Sequence, residues 1–298
     1  MKSSTDNPSP SYLPPFLQDS SLFTHMPSEQ LGQAPPTVLP KTDQKIISPV
    51  KPVLAQLDSR GSIQINIAVP ASALTEVKLL GEGAYGSVYE GLWNDQAVAI
   101  KRLKAQHLTP KAVEELRQEA QIMFQLGVES KYIVPLKKIC LEAPHYSLVM
   151  ELMPKGSLYQ LLHNGQDLPW AIRFQIAMDT AWGLKDLHAY SILHRDLKSL
   201  NILLDDRLRA KLADFGLAKV KQETSSQSTI AIGTVLWMAP ELFKRKAEVT
   251  AAADIWSLGM VLWELVTREI PFKDAQNQLQ AMGWIKDGEK EEIPGDCP

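Results

Sequence analysis

The sequence is poor in cysteine: Cys140 and Cys297 are the only two in 298 residues. Two thiols cannot build a disulfide framework or an all-cysteine zinc site, and their scarcity suits a reducing compartment. An excess of one charge is also missing. The 31 Lys and Arg nearly balance the 34 Asp and Glu, for a formal charge of −3. The chain as a whole therefore carries no electrostatic signature of nucleic-acid binding, and only a local basic groove stays open. Long hydrophobic runs are lacking too. The longest uncharged stretch, Thr224–Pro240, has 17 residues, but its first half is Ser, Thr and Gln. The most apolar one, Ile255–Trp263, is shorter still, and a membrane span needs roughly 20 residues. The N-terminus shows no apolar stretch of a secretory signal, and Lys2 stands where myristoylation requires glycine. These absences lead us to expect a cytoplasmic protein with no membrane span and no nucleic-acid partner. With 45 % apolar and 22 % charged residues, the chain has the composition of a globular core.

Proline divides the chain. Eleven of its 20 prolines fall within residues 1–70, where they block helix and central strand alike. Residues 1–58 read as a disordered Pro-rich tail. Pro49-Val50-Lys51-Pro52 matches a PxxP pattern, so the tail is either a solvated linker or a ligand for a partner with an aromatic groove. Ile63, Ile65, Ile67 and Val69 alternate with small or polar residues, which makes 59–73 a lead-in strand and linker. The folded domain occupies 74–298. Strands are predicted at Val77–Leu80, Val88–Trp93 and Ala97–Leu103, with a tight turn at Asn94-Asp95. A helix follows, capped by Thr109, opened by Pro110 and carrying Val113, Leu116, Ala120 and Met123 at helical spacing. Further strands fit Ile133–Leu141 and Ser147–Leu152, and helical stretches fit 170–188 and 254–267. Strands first and helices after predict an α+β fold of two lobes.

Three segments carry chemistry. Gly81-Glu82-Gly83-Ala84-Tyr85-Gly86-Ser87-Val88 has glycine spacing that lets backbone N–H groups approach phosphates. It lies between two strands, which argues against a dinucleotide fold and leaves a plain Gly-rich hairpin open. In Val98-Ala99-Ile100-Lys101, alternation puts Lys101 on a strand face where an ammonium needs an anion. Glu119, at the border of the apolar face of the following helix, is the internal candidate. In His194-Arg195-Asp196-Leu197-Lys198-Ser199-Leu200-Asn201, one stretch supplies a carboxylate, an ammonium and a carboxamide. Asp214-Phe215-Gly216 adds a second carboxylate 13 residues after Asn201. Asn201 and Asp214 form an oxygen-donor pair of the kind that holds Mg²⁺ together with phosphates.

In this order, and with Ala239-Pro240-Glu241 after them, these motifs resemble the protein-kinase family over residues 74–298. The resemblance implies a two-lobed kinase fold, with a small β-rich lobe containing one key helix and a larger helical lobe. It further implies ATP and Mg²⁺ as ligands and protein Ser/Thr hydroxyls as acceptors. Leu80 to Val88 would cover ATP. Lys101 would hold its α- and β-phosphates and pair with Glu119. Asp196 would accept or orient the substrate hydroxyl, Lys198 would touch the γ-phosphate, and Asn201 and Asp214 would hold the metal. Val88, Ala99 and Leu203 would enclose adenine, although core packing explains the same residue types. Met150 would be the gatekeeper, with the backbones of Glu151 and Met153 binding adenine. Met123, Leu136, Phe215 and His194 would stack into a spine. Lys198, two residues after Asp196, resembles Ser/Thr kinases. Trp93, Lys198-Ser199 and Trp237-Met238 resemble the tyrosine-kinase-like group. Phosphorylation at Thr224, Ser225, Ser226, Ser228 or Thr229 would order the activation loop against Arg195; an ordinary polar loop is the plain alternative.

The family usually continues through further helices after the position of Pro271-Phe272, so the helical lobe is expected to be incomplete. The arginine that normally pairs with the Ala-Pro-Glu glutamate is not found. Arg268 is one candidate substitute partner for Glu241, and Ile255, Trp256, Leu258 and Leu262 are expected to lose packing. Two function classes remain: an active Ser/Thr kinase, or a catalytically weak or inactive ATP-binding scaffold. A small-molecule phosphotransferase stands third, because the long activation loop and Ala-Pro-Glu weigh against it.

Overall fold

The computed structural model describes residues 67–83, 86–104, 107–215, 235–244, 247–295 and Cys297. The Pro-rich segment 1–58, Ile63, Ile65, Ala84, Tyr85 and the hydroxyl residues Thr224, Ser225, Ser226, Ser228 and Thr229 lie outside them. Five antiparallel strands come first: β1 (Leu74–Gly83), β2 (Gly86–Trp93), β3 (Gln96–Leu103), β4 (Leu136–Cys140) and β5 (Ser147–Glu151). They are ordered β1-β2-β3-β5-β4. Both turn residues between β2 and β3, Asn94 and Asp95, have positive φ (49° and 59°). That is the primed turn whose twist matches a two-residue hairpin, and Asn and Asp tolerate it best after Gly. Val98, Ile100 and Val149 pack on one face of the sheet with Leu74, Tyr89 and Trp93. Alternation then sends Ala99 and Lys101 to the opposite face. There register places Lys101 between Val88 and Leu148, and Ala99 beside Met150.

The helix α1 (Pro110–Glu129) begins as expected: the Thr109 side chain accepts from the Ala112 N–H, and Pro110 takes the first position. Its buried stripe is Ala112, Leu116, Ala120, Met123 and Leu126; Val113 is only half-buried. It packs against β4. Two strand limits differ from expectation. β1 extends from Leu74 to Gly83 because it pairs with β2 all the way to Gly83–Gly86. β4 is shorter, starting at Leu136, because Ile133 instead bridges to Leu212. Ala68 makes a parallel bridge to Ile139, so the lead-in segment rests on β4.

The remainder is helical around one small hairpin: α2 (Leu158–Leu162), α3 (Trp170–Ala189), β6 (Ile202–Leu204), β7 (Ala210–Leu212), α4 (Ala251–Thr267) and α5 (Gln278–Asp287). α3 packs on β7 and on α4. At Gly183 an added Cβ would lie 2.8 Å from the Tyr132 carbonyl and 2.9 Å from Leu212, which is why α3 carries no side chain there. The buried face of α4 presents Ala253, Asp254, Ser257, Met260, Val261, Glu264 and Leu265, two of them acidic. On its other side Ile255 is 54 % and Leu262 37 % exposed. Ile67–Pro298 forms one compact unit, and its architecture is the expected two-lobed α+β kinase fold.

Candidate active site

Lys101 is buried in the middle of β3, and its ammonium meets a carboxylate at 2.5 Å. The carboxylate is that of Asp214, not Glu119, which corrects the expected pairing. Asp214 has φ of 62°, and this left-handed backbone brings its side chain under the sheet. Glu119 lies on the wall of a cavity of about 360 Å³ between α1 and residues 191–195, where Met123 and Ile122 face Leu193, Arg195 and Phe215. Of the two carboxylates the sequence offers Lys101, the structure brings Asp214 onto it. Phe215 is buried beside His194, ring centres 6.4 Å apart, and Met123 and Leu136 are buried as well.

The segment His194–Asn201 is gripped from beneath by α4. Asp254 accepts from the backbone N–H of His194 at 2.8 Å and of Arg195 at 2.9 Å, and from His188 Nε2 at 2.9 Å. Arg195 has φ of 66°. Such a conformation costs about 1 kcal/mol or more in a non-glycine residue and persists because its surroundings hold it. Both oxygens of Asp196 are then engaged: Lys198 Nζ forms an ion pair with Oδ1 at 3.1 Å, and Asn201 Nδ2 donates to Oδ2 at 3.1 Å. Asn201 Nδ2 also donates to the Asp196 carbonyl at 2.7 Å, which turns its Oδ1 away from Asp196. The Ala213 N–H donates to the Asn201 carbonyl at 2.9 Å, tying the residue before Asp214 to Asn201.

Val88, Ala99, Lys101 and Met150 share one face of the sheet by register, the face from which Lys101 reaches Asp214. Leu203 is brought below by an antiparallel bridge from Ser157 to Leu203. The Glu151 N–H already donates to the Pro135 carbonyl at 3.0 Å, and the Met153 carbonyl accepts from Gly156 at 3.1 Å. A ligand edge would thus be met by the Glu151 carbonyl and the Met153 N–H. The glycines of the loop divide by role. An added Cβ on Gly81 meets nothing within 4 Å and on Gly83 only the Gly86 carbonyl at 3.9 Å, whereas on Gly86 it would fall onto the Arg102 carbonyl. Gly86 is required by the approach of β2 to β3, while Gly81 and Gly83 leave open space. Leu80 and Glu82 are exposed at the rim, Glu82 pairing with Lys104 at 3.0 Å, and Ser87 is half-buried opposite Arg102.

Does the donor set suit Mg²⁺? Among the described residues no group of three or more His, Cys, Asp or Glu side chains could hold a metal. Magnesium rarely uses an all-protein cage; it takes one or two side chains and completes its shell with phosphates and water. The amide oxygen of Asn201, oriented by the two bonds from its Nδ2, and the one-third exposed Asp214 carboxylate fit that pattern.

Arg268 does not serve Glu241. Its guanidinium donates to the Leu162 carbonyl at 3.1 Å and 2.9 Å, satisfying the end of α2. Among the described residues no cation pairs with Glu241. Sequence reasoning missed several buried polar residues. Glu264 gathers His163, Ser199 and Trp237. Asp179 takes both arms of Arg209, at 2.7 Å and 2.6 Å. An acid at a core position of an amphipathic helix was the available signal, since a buried carboxylate must be met by donors.

Residues 74–298 match the family model described as protein tyrosine and serine/threonine kinase. The Arabidopsis thaliana serine/threonine-protein kinase STY46 is 38 % identical over 216 residues, covering 72 % of this chain and 37 % of the relative. Human mitogen-activated protein kinase kinase kinase 13 is 35 % identical over 230 residues, covering 77 % of this chain and 22 % of the relative. The chain spans between 13 % and 37 % of the length of the first three curated relatives it matches. The Lys101–Asp214 pair, a gripped Asp196 and this similarity lead to one conclusion: the chain belongs to the protein tyrosine and serine/threonine kinase family.

Proposed function

We propose that this chain transfers the γ-phosphoryl group of ATP to Ser and Thr hydroxyls of proteins, as a member of the tyrosine-kinase-like group. One observation carries the reading. The Asp196 carboxylate is fixed through both oxygens, by Lys198 and Asn201, in a segment whose backbone is held by Asp254. Phosphoryl transfer asks the protein mainly for alignment and charge neutralisation. Asp196 accepts the proton of the incoming hydroxyl. Lys198, ion-paired with Asp196, would also bring its charge to the transferred phosphoryl oxygens. Lys101 is the cation that would bind the α- and β-phosphates. Asn201 and Asp214 would hold Mg²⁺, whose charge offsets that of the phosphates. Val88, Ala99 and Leu203 enclose adenine, with Met150 at the back and the hinge backbone along its edge. The group assignment is supported by Trp93, Lys198-Ser199 and Trp237-Met238. The exposed Arg195 is suited to meet a phosphate on the segment containing Thr224–Thr229, which makes activation by phosphorylation part of the same proposal. Two cysteines, one of them buried, support a cytoplasmic setting. The Pro49–Pro52 motif supports a groove-type partner for the N-terminal segment.

A second reading rests on the 2.5 Å Lys101–Asp214 pair. Each group is occupied by the other, as in a scaffold that binds nucleotide without transferring phosphate. Phosphosite mass spectrometry decides between them, using the chain with Mg-ATP and a generic protein substrate beside Asp196→Asn. Transfer to Ser or Thr is expected for the wild type, with a loss of about 10²–10⁴-fold in the variant. Equal labelling in both, or none in either, would overturn the catalytic reading.

A further inference from the structure

Glu264 is fully buried, and nothing in the proposed chemistry uses it. Donors from three separate stretches converge on its carboxylate. His163, just past α2, lies 3.0 Å from Oε1. Ser199 Oγ, next to Lys198, donates to the same oxygen at 2.8 Å. Trp237 Nε1 donates to Oε2 at 3.1 Å. An indole N–H only donates, so Oε2 is fixed as an acceptor. α4 takes a second hold on the same tryptophan, because Ser257 Oγ donates to the Trp237 carbonyl at 2.7 Å. Ser199 lies three residues after Asp196, and Trp237 immediately precedes Met238-Ala239-Pro240-Glu241. A carboxylate without solvent is tolerated only while donors surround it. Removing one donor leaves the charge short for the others, so the donors support one another through the acid.

We propose that Glu264 is a positioning residue that couples the Asp196–Asn201 segment to the Trp237–Glu241 segment, so that the proton acceptor and the stretch leading into Ala-Pro-Glu hold one mutual arrangement. The role of Asp196 rests on the kinase reading; the coupling itself does not.

Hydrogen exchange on the full chain, read by mass spectrometry, tests the coupling without requiring activity. Ser199→Ala should speed exchange within 235–243, and Trp237→Phe within 197–204, each by about three- to tenfold, the equivalent of one hydrogen bond. In a Glu264→Gln background, which keeps the shape and one acceptor oxygen, neither change should propagate. If Trp237→Phe does not fold, His163→Gln supplies the second arm, with the same effect expected within 235–243. Changes confined to the mutated segment, or spread evenly over α3 and α4, would overturn the proposal. The kinetic counterpart is a split. Ser199→Ala should lower kcat and Trp237→Phe should raise the KM for protein substrate, both leaving the KM for ATP unchanged. The double variant should lose less than the product of the single losses; multiplicative losses would overturn the coupling. Propagated exchange in a chain that transfers no phosphate would refute the kinase reading and uphold the coupling.

Discussion

Tyr159 lies beside Glu264 and His163, and its hydroxyl is pushed up to about 12, by burial first and the charge of Glu264 second. The folded state therefore holds this proton more tightly than the unfolded chain, in which the group titrates near 10.0. Its contribution is complete below that value and is lost as pH rises through the folded one. Tyr159→Phe should flatten this alkaline limb. Denaturant titrations should show the wild type losing about 1 kcal/mol more than the variant between about pH 9 and about pH 11. Equal losses would refute the assignment. Cys140 is buried, and burial pushes its thiol up as well. At about pH 8 an alkylating reagent should label the half-buried Cys297 at least about tenfold faster than Cys140, until denaturant exposes both. At this scale the sequence was legible wherever chemistry demanded a residue type, as at Lys101 and Asp196. At Gly86 it left two readings open, because a phosphate loop and a crowded strand contact ask for the same missing side chain.

Among the elements, α3 and the β6–β7 hairpin are joined by one buried acid. Asp179 receives Nε and Nη2 of Arg209 and the N–H of Ala210. The Arg209 guanidinium is pushed above its ordinary value, mainly by its hydrogen bond to Asp179. Asp179→Ala should destabilise the fold by about 2 kcal/mol, because it leaves buried donors unmet while Arg209 still reaches water. Thermal unfolding checks this, and an unchanged Tm would show the hairpin to be held by packing alone. Helix starts were legible when side chains close on their own backbone, as at Thr109. The same logic was available for α2, where Ser157 and Gln160 complete a capping box. The polar interior of α4 was not legible. Period 3.6 identifies Asp254 and Glu264 as facing inward, but not the donors that three remote segments bring to them.

For the whole molecule, the ordered motifs announced the fold across 225 residues, and residues 74–298 match the family model throughout. They could not say which carboxylate Lys101 holds, since the sequence offers both Glu119 and Asp214 and only the three-dimensional arrangement ranks them. On the proposed reading, Mg-ATP would compete with the Lys101–Asp214 pair for both groups. We expect Mg-ATP at about a hundredfold excess over Kd to raise Tm by about 5–10 °C. Chelation of Mg²⁺ should remove most of that gain, and Lys101→Met should reduce it. A shift indifferent to both treatments would mean that nucleotide binds elsewhere.

Asp254 grips the backbone of His194 and Arg195 rather than their side chains. A grip on backbone atoms leaves the exposed Arg195 side chain out of the hold, although the left-handed φ of 66° still disfavours β-branched residues and proline at that position. A residue that tolerates this backbone could replace Arg195 while Asp196 stays where it is. On the proposed reading, the anchoring helix would separate two traits during divergence: how the chain is switched on could change at position 195 without any change in how Asp196 is held.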